Sequence, residues 1–499
     1  MIQESKLTDD LKLKSLGAFR FLFILASGLI FLSGYANNSF NIMLYGILAL
    51  WGCGIWYCAE KFKSRYLLMI FYFMLFVFLI SRPTVDLFRI PLWKNYKVGQ
   101  NLFSLFSVYF SMLCLMIGNF FGEQLVKKKE SQKIKRFSVE EVRNSSLDLR
   151  SISIFLFYTS IVLLFVVELE KLFYMNGRKY EEIYVSFRSQ LPYFINVIAA
   201  MNKYFLCIFL STMPRKRKTF IPLMLYVVST FPYFLIGARY KLVINALFVV
   251  VYYLLRDSLE DKEKWMGFKE KFILCIGSPL ALAFLGAYNY IRAGSKMEHH
   301  GIIGLIVDFF YKQGVSFDVL RMGYEVIPKI KYTGFVNYTF GEMLDYLTRG
   351  KVAQFLWDVK AFPEGQNETL GLYSNLLGNR IAYTFSRDYF LAGHGWGSSY
   401  LLDTYADWGY PGIIIFSIVL GLIFAYMVYW LKKSNFSRII VLTMLTNIYY
   451  CPRSSAFTWL SFLVYLQFYV PLIMCFVFVW MFTKRYALKN HLSLNGDDI

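Results

Sequence analysis

Histidine and cysteine are scarce in this chain, and several familiar ligand motifs are missing. Only four histidines and seven cysteines stand among 499 residues. The cysteines are Cys53, Cys58, Cys114, Cys207, Cys275, Cys451 and Cys475, and none lies in the long non-spanning stretch near residues 292–410. That excludes a disulfide-stapled ectodomain and leaves the thiols as small apolar core groups. His299 and His300 are adjacent, which is poor geometry for one ion, and no Cys/His ligand spacing accompanies them, so no metal site is expected. The same stretch has no Asp-x-Asp metal–diphosphate motif. No G-x-x-x-x-G-K-S/T loop is present, so ATP-driven transport finds no support. No cleavable signal peptide, internal repeat or low-complexity tract is visible.

Apolar residues, by contrast, are abundant. They make up 57% of the chain, with aromatics at 20%, and the mean hydropathy is +0.45. Apolar runs recur from end to end near 21–37, 40–58, 66–81, 101–121, 151–169, 192–212, 220–237, 242–255, 272–290, 411–430, 439–452 and 458–482. Most are long enough to cross a hydrocarbon core of ~30 Å. The expected fold is therefore an all-α polytopic membrane bundle of about twelve helices.

The net charge of +20 raises the question of nucleic acid, but its placement answers otherwise. Basic clusters sit in short loops: Glu60–Arg65, Val126–Arg136, Pro214–Lys218, Arg256–Trp265, Leu431–Arg438 and Thr483–Lys489. Alternating from a cytoplasmic N-terminus puts every cluster inside and both termini in the cytoplasm. The chain then divides into an N-terminal bundle of about nine spans (1–290), a large external loop of short helices (291–410), and C-terminal spans with a cytoplasmic tail (411–499). A shorter external loop, Glu170–Gln190, is expected to pack beside the large one.

Three basic sites stand out by arithmetic. From Lys241 to Arg256 a helix covers only ~22 Å, so Arg239 and Lys241 are expected below the outer surface. The run from Arg438 to "CPRSS" sinks Arg453 in the same way, and Arg292 ends a longer span at the outer interface. A charge at mid-membrane costs roughly 2.5–3.5 kcal/mol. Snorkelling accounts for one such arginine. For the group, a shared wet cavity facing an anion is the better reading, because the guanidinium fork suits phosphate oxygens.

Next to a membrane run lies "GHGWGSSYLLDTYADWGYPG", read as a loop and a short helix with Ser398 as N-cap and Gly409 and Pro411 as the stop. Ser399, Asp403 and Asp407 share one helix face, Leu401, Tyr405 and Trp408 another. Asp403 and His394 are then candidate bases looking into an aqueous cleft. The alternative is a solvated polar face behind a capping loop.

These features together resemble the Wzy-type polysaccharide polymerases of bacterial O-antigen and capsule synthesis. The resemblance rests on the late external loop, the isolated arginines at "GAR" and "PRSS", and a G-x-G-x-S…(E/D)-x-(Y/F)…G-x-x-G pattern. That pattern matches Gly395, Gly397, Ser399, Asp403, Tyr405, Gly409 and Gly412, with the shorter acid at Asp403. The resemblance implies a GT-C-type membrane glycosyltransferase that joins undecaprenyl-diphosphate-linked repeat units at the outer face of the plasma membrane. It implies neither metal nor nucleotide sugar, and it leaves open a polysaccharide chain-length regulator as a partner. The expected roles are Arg239, Lys241, Arg292 and Arg453 on the diphosphate, with Arg387 and Arg380 in reserve. Asp403 is the first choice of base and His394 the second, with Arg453 beside them in catalysis. Trp396, Tyr400, Asp407 and Trp408, together with Tyr389, are expected on sugar rings. Two rivals stay open: a lipid-linked oligosaccharide flippase, and an O-antigen ligase that shares the donor.

Overall fold

The computed structural model describes residues 2–88, 92–132, 139–259, 263–293, 301–331 and 333–494. Long helices come first: α1 (Ile2–Ala36), α2 (Phe40–Glu60), α3 (Phe62–Asp86), α4 (Val98–Gln132), α5 (Leu147–Tyr174), α6 (Tyr193–Ser211), α7 (Lys216–Leu235), α8 (Tyr240–Leu259) and α9 (Phe268–Ala293). Short helices follow: α10 (Ile302–Gln313), α11 (Ser316–Val326), α12 (Gly341–Arg349), α13 (Lys351–Trp357), α14 (Glu368–Tyr373), α15 (Leu377–Phe385) and α16 (Arg387–Leu391). The chain closes with α17 (Tyr400–Leu431), α18 (Asn435–Leu445) and α19 (Leu466–Leu494). Among the described residues every regular element is helical. Ten helices, α1–α9 and α17, are long and apolar enough to cross a membrane. The all-α polytopic bundle is thus as expected.

Two of the about twelve expected spans, 439–452 and 458–482, are not among these ten. Helix α18 has 11 residues, a length of only ~16 Å. The chain then runs through 3₁₀ turns at Ile448–Arg453 and Ser461–Val464 before α19 begins. Pro452 removes one amide from any continuing helix ladder. Irregular backbone is tolerated at such depth only inside protein or against a wet cavity. Here Ile448, Tyr449, Cys451 and Pro452 are buried.

Contacts among the basic loops draw them to one end of the bundle. Four arginines converge where α6 stops. Arg438 donates to Ser211 O at 2.9 Å, Arg150 to Thr212 O at 2.8 Å, Arg143 to Met213 O at 3.2 Å and Arg256 to Pro214 O at 2.7 Å. A helix C-terminus leaves carbonyls without intrahelical partners and carries partial negative charge, so cations fit there twice over. Nearby, Arg65 grips Glu123 with two 2.7 Å bonds and lies 3.6 Å over the Tyr57 ring.

The opposite end carries the short helices, docked by polar ties. Arg82 meets Asp318 at 2.7 Å, and Asp318 also takes Arg321 at 2.8 Å. Arg321 lies over the rings of Trp93, Tyr96 and Phe317. Glu342 of α12 accepts from Tyr465 Oη at 2.6 Å and Ser461 Oγ at 3.1 Å. The loop Glu170–Gln190 packs beside this segment: Gln366 N donates to Tyr184 O at 2.8 Å, and Arg188 meets Glu364 at 3.2 Å.

The tightest long contact in the bundle is α4 against α17. A Cβ at Gly421 would lie 2.3 Å from Leu115 O, so these backbones touch only because a small residue stands there. Asn119 crosses the same contact to Gly421 O at 3.3 Å. Gly421→Leu is expected to overpack it by about 1–3 kcal/mol. Detergent-solubilised variant should melt well below wild type; an unchanged melting temperature would contradict the close packing.

Candidate active site

Between the bundle and the docked segment lies a cavity of about 1110 Å³, as large as the pockets that hold whole small ligands. Its inner wall is apolar, formed by Phe73, Val77 and Phe78 of α3, Leu282 of α9, and Phe309 and Phe310 of α10. Its polar lining comes from places distant in sequence, among them the loop Glu170–Gln190, the turn before α8, the loop Gly393–Ser398 and the irregular segment after α18. Among the described residues, the charged side chains lining it are Arg239, Arg453 and Glu181.

Each polar group is held by a local device. The turn at Gly237 and Ala238 delivers Arg239, whose Nη1 donates to Leu285 O at 3.1 Å. Arg453 closes the 3₁₀ turn after α18 and donates to Gln313 O at 2.9 Å and Gln313 Oε1 at 3.3 Å. Its guanidinium faces the Phe78 ring at 5.9 Å. The imidazole of His394 stacks on Tyr389, centroids 4.1 Å apart and planes 12° from parallel. Its Nδ1 lies 4.0 Å from Glu181 Oε1. Trp396 packs on Phe385 at 4.1 Å and presents itself to the cavity. Two guanidinium groups and one carboxylate among the described lining residues give a positive balance beside apolar side chains, an arrangement that suits an anion.

The cavity therefore gathers Arg239, Arg453, His394 and Trp396, together with Tyr389. Other expected residues lie elsewhere. Lys241 turns away to Glu168 at 3.3 Å and sits 4.0 Å over Tyr233. Arg380 is buried and donates to Lys331 O at 2.6 Å and Thr333 Oγ1 at 2.9 Å, tying two stretches of the docked segment together. Arg387 is exposed and paired with Glu368, a hydrogen bond that raises its pKa above the ordinary value. Arg292 has a side chain outside the described residues.

The acidic face also differs from expectation. Ser399, not Ser398, caps α17, accepting from Leu401 N. Ser398 instead donates to Asp403, which is fully buried and also accepts from Ala456 N at 3.0 Å. Asp403 does not look into the cavity. Asp407 accepts from Tyr338 N at 3.0 Å, and from Thr339 N and Oγ1 at 2.7 and 2.6 Å. It is a brace, not a cavity wall. Tyr400 is buried against Ser111, and Trp408 is exposed away from the cavity lining. Gly409 breaks α17 with a non-helical backbone, and Pro411 follows, so the chain bends there without ending.

Sequence reasoning missed Glu181, Gln313 and Gln366, all of which line the cavity. The only signal was the acidic pair in the short loop Glu170–Gln190, and nothing in the pattern ranks Glu181 above its neighbour Glu182.

The model of a protein family described as O-antigen polysaccharide polymerase Wzy matches residues 19–486, nearly the whole chain. The chain matches no curated protein and no solved structure.

The two bonds at Asp403 generate a test of stability. Asp403→Ala would strand the Ser398 hydroxyl and the Ala456 amide in the interior, at a cost of about 1–3 kcal/mol each. The variant should melt below wild type in detergent and accumulate to lower levels in membranes. Wild-type melting would show that these bonds do not hold the segment.

Proposed function

This chain belongs to the O-antigen polysaccharide polymerase Wzy family, and from that premise we propose how its cavity performs polymerisation. The substrates are undecaprenyl-diphosphate-linked oligosaccharides, met at the outer face of the bacterial inner membrane with both termini in the cytoplasm. The reading is carried by one observation: Arg239, Arg453 and His394 line a single cavity together with apolar side chains of α3, α9 and α10.

In this reading the growing chain is the donor, attached through its anomeric carbon to the lipid diphosphate. A hydroxyl of a fresh lipid-linked unit is the acceptor. The acceptor oxygen bonds to the anomeric carbon as the bond from that carbon to the diphosphate oxygen breaks. The hydroxyl proton passes to His394, and the lipid diphosphate leaves carrying the electron pair. Charge grows on the departing oxygen, where Arg239 and Arg453 stabilise it. Their hydrogen bonds to Leu285 O and to Gln313 fix them beforehand, so little reorganisation is needed at the moment of reaction. His394 takes the role of base because it reaches the cavity, whereas Asp403 is enclosed. Asp403 acts one step back, holding the segment that carries Arg453. Trp396 and Tyr389 offer flat faces for sugar rings. The phenyl rings of the inner wall receive the isoprenoid.

Family membership favours polymerisation over the flippase and ligase readings. In a strain lacking its own copy of the gene, complementation with Arg453→Ala or Arg239→Ala should cut polymer about 10²–10³-fold, the usual loss for one preorganised donor. Surface glycan on gels would then collapse to single repeat units while protein levels hold. Full ladders from both variants would remove the pair from the mechanism. Lipid-linked units trapped on the cytoplasmic face would point to the flippase instead.

A further inference from the structure

We infer that Glu181, on the short loop between α5 and α6, is a positioning residue for the base His394, so that the base is complete only when this loop is seated. The inference rests on the functional reading above and extends it to a residue outside the late segment.

Three observations converge on the pair. First, Glu181 and His394 both line the cavity, and Glu181 Oε1 stands 4.0 Å from His394 Nδ1. That spacing is an ion-pair distance that a small closure turns into a hydrogen bond, as happens when a substrate tightens an open site. Second, the ring has little freedom to turn elsewhere. It lies flat on Tyr389, and its backbone amide donates to Tyr389 O at 3.2 Å. With Nδ1 directed at the carboxylate, Nε2 is the nitrogen left for an acceptor hydroxyl.

Third, the two loops meet through backbone as well as side chain. Gly393, the residue before His394, has φ +96°, and a Cβ there would lie 2.4 Å from Glu181 O and 3.0 Å from Glu181 C. Only glycine permits both that conformation and that approach. The same loop is pinned a few residues on, where Gln366 N donates to Tyr184 O. A loop this close at Gly393 sets where the Glu181 carboxylate sits relative to the imidazole.

A carboxylate behind an imidazole fixes its tautomer and stabilises the imidazolium formed on proton transfer. Glu181→Gln keeps the shape and removes the charge. In proteoliposomes fed with lipid-linked repeat unit extracted from the deletion strain, it should lower kcat roughly ten- to hundredfold, part of what a general base supplies, with KM unchanged. In a His394→Asn background the same substitution should cost nothing further, because Glu181 acts only through the imidazole. Gly393→Ala, which pushes the loops apart, should reproduce the kcat loss independently. Wild-type kcat for Glu181→Gln, or a penalty that simply multiplies onto that of His394→Asn, would overturn the inference. If His394→Asn itself polymerises normally, the functional reading falls along with it; if only Glu181→Gln is silent, the base stands and the positioning role alone fails.

Discussion

The carboxylate of Asp403 holds an irregular stretch of chain inside a bundle of helices, and the cavity depends on that hold. A bilayer-sized helical protein gains nothing by leaving backbone amides outside a helix, since each unpaired one is costly where water is absent. After α18 the chain leaves the α-helical ladder over residues 446–465 and pairs its amides through 3₁₀ turns and side chains. Asp403 satisfies the Ala456 N–H of this stretch, and Gln313 holds the Arg453 guanidinium that it carries. What the irregular stretch provides is a guanidinium that lines the cavity and is held there by Gln313.

Charge placement follows one rule at both ends of the molecule. At the basic end, arginines are consumed by structure: four of them satisfy the carbonyls where α6 stops, and Arg65 is locked on Glu123. At the other end Arg82, Arg321 and Arg380 are likewise tied to carboxylates, carbonyls or hydroxyls. Arg239 and Arg453 differ in presenting themselves to a large cavity that also holds an imidazole and aromatic faces. The carbonyl and amide oxygens of Gln313 steady the Arg453 guanidinium without neutralising it.

Much of this was readable beforehand, for physical reasons. Lipid demands long apolar helices, so the first nine spans and the span within α17 follow from hydropathy. Arg239 and Arg453 were legible because a cation flanked by short apolar runs has few comfortable places. Lys241 pairs instead with Glu168, 73 residues away in sequence and buried, a contact that no local pattern announces. Helical periodicity correctly put Asp403 and Asp407 on one face of α17 but could not tell that the face turns toward protein. Register predicts a side, not what lies on that side. Glu181 was hidden for a further reason: its importance arises from the approach of two loops at Gly393, a contact with no local pattern.

The central claim is that the cavity between Arg239 and Arg453 receives a lipid diphosphate with its isoprenoid against α3 and α10. Site-specific photocrosslinking in living cells tests it most directly, with a photoreactive side chain at Phe310 on the apolar wall and, as a control, at exposed Trp408. The account predicts a polyprenyl-diphosphate glycan adduct at position 310 that is absent at 408 and is lost when both arginines are replaced by alanine. Equal labelling at the two positions, or labelling at 310 that survives removal of both arginines, would contradict it.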